Sequence, residues 1–149
     1  WDLPPSPHRM RCGAGLCGFT KNPTRKRQIC TIFSQKNLVF PVYRACRMKG
    51  KAQAMLREMA RQEACHAKKL AAVYFLNTGK KACPGRPERP CVTCINETLR
   101  QRYSEEHAAH EAYAALAENA GTHRCMLLRM AQEECEHAQL ILCILQNCL

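Results

Sequence analysis

From residue 50 onward, apolar positions recur every three or four residues. Ala52, Leu56, Met59, Glu63, His66, Leu70, Val73 and Asn77 form one series; Leu99, Tyr103, Glu106, His110, Tyr113, Ala117 and Ala120 form a second; His123, Leu127, Met130, Glu134, His137, Ile141, Ile144 and Cys148 form a third. That step places each series on one side of a helix, so the pattern predicts helices over 51–78, 95–120 and 122–148. Gly79 suits a left-handed cap on the first. Pro84, Gly85, Pro87 and Pro90 make 79–94 a connector. The turn at Gly121, with Thr122 able to cap the helix that follows, makes the last two helices antiparallel.

The series repeat one another. A shift of 71 carries Leu56, Met59, Ala60, Glu63, His66 and Ala67 onto Leu127, Met130, Ala131, Glu134, His137 and Ala138, without a change of residue type. Two helix pairs are implied. By the same logic Tyr113 has a counterpart about 70 residues earlier, Tyr43, which places the first helix of a four-helix bundle at 35–48. This stretch is a poor helix former. It contains Pro41, ends near Gly50 and is rich in β-branched and aromatic residues, so the expected first helix is degenerate or disrupted.

Charge divides the chain differently. Of the net +11, residues 1–57 contribute twelve Lys/Arg against one acid, Asp2, while residues 58–149 hold eleven of each sign. The expected organisation is a basic, disordered segment over 1–34 followed by a helical bundle over 35–149. A basic arm can bind nucleic acid, but an exposed tail is the reading preferred here. No apolar run reaches the length of a membrane span, and the first residues lack the apolar centre of a secretion signal. The expectation is a soluble, cytoplasmic protein with no membrane partner. The chain starts at Trp1, as a fragment or processed product would. Twelve cysteines scattered through helices and loops without an export signal are expected to be reduced. Cys91-x-x-Cys94 with Cys83 nearby has a zinc-like spacing, but lacks the second pair of a closed site and is read as loop cysteines.

The helical series carry ionisable groups where core residues belong. A buried carboxylate costs several kcal/mol unless it is paired, hydrogen-bonded or bound to metal. No Lys or Arg lies on the three series to pair with Glu63, Glu106 and Glu134. His66 and His137 each follow a Glu by three residues, about one turn away on the same face. Two such turns facing each other can hold metal ions. His110 and Tyr113 share the second series, as a further ligand or a hydrogen-bonding neighbour of one, or as satisfied core residues.

The stretches "MLREMARQEACHAKKLAAVYFLNTG", "LRQRYSEEHAAHEAYAALAENAG" and "LLRMAQEECEHAQLIL" resemble the rubrerythrin branch of the ferritin-like di-iron carboxylate proteins, specifically small bacterial members without a rubredoxin domain. The resemblance covers about Lys51 to Leu149. It implies an all-α, ferritin-like bundle with Glu63, His66, Glu106, Glu134 and His137 as metal ligands. It also implies two irons, with manganese or zinc as substitutes, and non-haem oxidoreductase chemistry in peroxide detoxification or iron oxidation and handling. Its partners would be a small oxidant, peroxide or oxygen, and a separate electron donor. A homodimer would complete a half-formed core.

The family pattern wants one more Glu, seven residues before Tyr43, where this chain has Lys36. An ammonium cannot bind a metal cation and repels one at close range. Three explanations stay open: one ion or weak binding; a ligand from elsewhere, such as His110; or an N-terminal third foreign to the fold. The alternative functions are a structural bundle without catalysis and a basic nucleic-acid-binding module.

Overall fold

The computed structural model describes residues 23–83 and 90–147, and among them there are four long helices and no strand. They are α1 (Pro23–Ala45), α2 (Gly50–Thr78), α3 (Ile95–Ala117) and α4 (Arg124–Asn147), with a short 3-10 turn, Gly121–His123, before the last. α1 packs closely on α2 and α3 on α4, the two pairs expected from the repeat, and α2 touches α4 across them. Among the described residues no helix is long and apolar enough to cross a membrane.

α1 corrects two expectations. It starts at Pro23 rather than 35, so 23–34 is helix and not a disordered segment, and it runs unbroken past Pro41. The remainder of the basic segment, 1–22, lies outside the described residues. Packing explains the difference. Ile29, Ile32, Lys36, Val39 and Tyr43 step by threes and fours, Phe33 lies beside them, and all six are buried, so burial of one face outweighs weak intrinsic propensity.

The end of α2 follows the expected device. Gly79 sits at φ 68° and its N–H bonds the Phe75 carbonyl at 2.8 Å. A Cβ there would meet nothing within 4 Å, so Gly79→Ala should cost only the left-handed backbone strain. That is ~1 kcal/mol, measurable by urea denaturation.

The core is split. One apolar cluster contains Ile29, Phe33, Leu70, Tyr113, Leu127 and Met130; the other contains Val39, Tyr43, Leu56, Met59, Leu99 and Ile141. Between them lies a layer of buried polar side chains drawn from all four helices: Lys36, Glu63, His66, Glu106, Glu134 and His137.

A buried carboxylate–histidine cluster with an internal ammonium

Each helix delivers its part of this layer by periodicity. Glu63 and His66 lie one turn apart on α2, and Glu134 and His137 repeat the arrangement on α4; all four are fully buried. The two histidines face each other, with ring centroids 6.0 Å apart. His137 Nδ1 lies 3.0 Å from Glu63 Oε1, and His66 Nδ1 lies 2.8 Å from Glu134 Oε1. Each imidazole thus turns Nδ1 towards the Glu of the opposite helix.

Their outer nitrogens are held by a pair of residues that sequence reasoning missed. His137 Nε2 is 2.6 Å from Gln62 Oε1, and His66 Nε2 is 2.6 Å from Glu133 Oε2. Gln62 and Glu133 are themselves related by the shift of 71, each immediately preceding the Glu of its turn. An amide or carboxylate oxygen can only accept, so Nε2 carries the proton in both rings. This outer support fixes ring orientation and leaves Nδ1 as the inward atom, as metal-ligating histidines require.

Glu106 comes from α3 and completes a set with Glu63, Glu134 and His137 in which one donor atom from each lies within 4.8 Å of all the others. Its carboxylate accepts a short hydrogen bond from the Tyr43 hydroxyl on α1. Tyr113, the repeat counterpart of Tyr43, makes no equivalent bond. Its buried hydroxyl has no hydrogen-bond partner among the described residues, while its ring stands edge-on to His66 at 6.1 Å. The tyrosine contact with a carboxylate of the opposite pair is therefore made by Tyr43 and not by Tyr113. His110 also stays outside the cluster: its Nδ1 donates to the Ala131 carbonyl at 2.8 Å. It is not the missing ligand. Cys83, Cys91 and Cys94 are free thiols and gather no ligand group among the described residues.

Lys36 occupies the centre. Only 3% exposed, its Nζ donates to Glu134 Oε2 at 2.5 Å, Glu63 Oε1 at 3.0 Å and Glu106 Oε2 at 3.4 Å. The sequence marked this position as a departure. It did not predict that the ammonium would serve as the carboxylates' common partner.

The electrostatics follow from these contacts. Burial by itself would lower the Lys36 pKa, but the charges of Glu63, Glu106 and Glu134 reverse that and raise it. Burial likewise opposes a charged His137, yet hydrogen bonds with Glu106, Glu134 and Glu63 push it up to about 11. Burial would raise the Glu106 carboxyl, but its contacts with Glu134 and His137 and the charge of Lys36 bring it down to about 2. Both tyrosines are raised, first by burial and then by the surrounding carboxylates.

The donor set of Glu63, Glu106, Glu134 and His137 could hold a metal ion. Besides the four converging donors, Glu63 Oε2, His66 Nδ1 and Glu134 Oε1 are buried without a hydrogen-bond partner among the described residues, although Glu63 Oε2 lies 2.9 Å from Lys36 Nζ and the other two lie 2.8 Å from each other. Hard carboxylate and imidazole donors suit iron, manganese or zinc. At the position on α1 that the repeat matches to Glu106, the chain offers the ammonium of Lys36 instead of a fourth carboxylate. An open groove of about 730 Å³ between α1 and α3, walled in part by Lys36, Glu106, Ala109 and Ala112, reaches the edge of the cluster. No family model, no curated protein and no solved structure matches this chain.

Proposed function

We propose that this protein is a metal-binding bundle of ferritin-like, rubrerythrin type that holds one divalent ion, rather than two, among Glu63, Glu106, Glu134 and His137. The observation that carries the reading is the convergence of these four buried donors to within 4.8 Å. Support comes from the outer hydrogen bonds of Gln62 and Glu133, which present both histidines in a ligating orientation. A bound ion would supply Lewis acidity and, were it iron, one-electron redox chemistry. The chain's own residues position the donors, exclude water and hold protons at Tyr43 and Lys36. Reduction of peroxide to water takes two electrons, so a one-iron centre would need its second electron from a separate donor.

A second reading, a structural bundle without metal, is favoured by the hydrogen bonds of Lys36 to all three carboxylates. Metal content separates the two. Protein loaded anaerobically with Fe(II) and desalted should retain about one iron per chain, lost in a Glu63→Ala, Glu134→Ala variant. Iron equal to that of the variant would leave the structural reading in place.

A further inference from the structure

Lys36 and Glu106 stand at matching places in the repeat: each lies seven residues before a buried tyrosine, Tyr43 or Tyr113. The two pairs of helices therefore bring to the centre not four acids but three acids and one base. We propose that Lys36 is a built-in cation, its ammonium standing among the three carboxylates in the place of a metal ion so that their charge is partly neutralised and the bundle folds without bound metal. This rests on reading the cluster as a cation site, and it concerns the same three carboxylates that are assigned to the bound ion.

Three observations support it. The Nζ atom touches carboxylate oxygens from three different helices, at 2.5, 3.0 and 3.4 Å, as a shared cation does and a single surface ion pair does not. Both oxygens of Glu63 are near it, Oε2 at 2.9 Å. Lys36 is also fixed from the side: its Nζ lies 5.9 Å from the centre of the Tyr113 ring. An ammonium carries a single charge and three donors, so it satisfies part of what a divalent ion satisfies and, being tethered, cannot be chelated away.

The test uses the full chain with Lys36→Met, which keeps an unbranched stem and removes the charge, and Lys36→Glu, which supplies the fourth acid. Mn(II) is the probe, because hard oxygen and nitrogen donors accept it while the chain's many thiols favour softer metals. The parent should melt at nearly the same temperature with and without EDTA. Lys36→Met in EDTA should melt lower by about 10 °C or more, or fail to fold, and recover with Mn(II). Lys36→Glu should bind one more Mn(II) per chain than the parent. The proposal is overturned if Lys36→Met in EDTA is as stable as the parent. It is equally overturned if Mn(II) rescues neither variant, or if Lys36→Glu gains no ion. A parent without metal, beside a Lys36→Met variant that Mn(II) rescues, would remove the one-ion reading and leave the built-in cation standing.

Discussion

Replacing His137 with leucine is expected to destabilise the metal-free protein by roughly 3–5 kcal/mol at neutral pH, the usual range for removing one partner of a buried ionic group. Leucine is close in volume, so little packing is lost. What disappears is a cation of the layer: with His137 held up at about 11, it carries charge at pH 7 and faces Glu63 at 3.0 Å and both Glu106 and Glu134 at 3.8 Å. The three acids would lose a partner that all of them share, and Gln62 would lose its 2.6 Å partner. Relief of the histidine's own desolvation works in the opposite direction, but here the carboxylate contacts already outweigh it. The sign is checkable. A histidine raised from 6.5 to about 11 contributes fully below pH 6.5 and loses its contribution as pH rises to 11. Urea denaturation in EDTA should therefore show a gap between parent and variant that narrows over that interval. A gap below ~1 kcal/mol at pH 6 would mean that the His137 contacts are incidental.

Acid should have a comparable effect through Glu106. Its carboxyl is lowered from 4.5 to about 2, so its contribution is present above pH 4.5 and is lost as pH falls through 2. For this buried group the shift corresponds to a loss on the order of 3 kcal/mol. Glu106→Gln keeps the shape and an acceptor for Tyr43 but cannot titrate. The metal-free parent should weaken between pH 5 and pH 2.5 by more than the variant does, as chemical denaturation at the two values measures. Equal losses would place the acid sensitivity elsewhere in the molecule.

Much of this architecture was legible in the chain. Three helices follow from apolar periodicity to within a few residues at each end, and the pairing of helices follows from the shift of 71. Glu63, His66, Glu106, Glu134 and His137 all reach one buried layer because helical spacing puts them on the faces that also carry Leu56, Leu70, Leu127 and Ile141. α1 was harder to read. Its apolar positions start at Ile29, among charged neighbours, and Pro41 argues against a helix; only contact with α2 makes the whole stretch worth ordering. Which partners a side chain finds across the bundle was not readable from spacing on one helix. Tyr43 rather than Tyr113 reaches a carboxylate, and His110 turns to the α4 backbone. The signal for Gln62 and Glu133 was present, as a repeat-related polar pair one step ahead of each Glu, but its meaning appears only once α2 and α4 face each other.

The polar layer between the two apolar clusters also bears on alignment. Leucine, isoleucine and methionine tolerate neighbours displaced along the axis, so an all-apolar bundle of these helices could slide by one turn with little loss of burial. Here such a slide of α1 carries Lys36 about 5.4 Å away from Glu63, Glu106 and Glu134, and drives its ammonium among Leu70 and Leu127 at one end or Leu56 and Leu99 at the other. One lysine thus acts as a registration pin for α1, the helix whose own sequence specifies its position least.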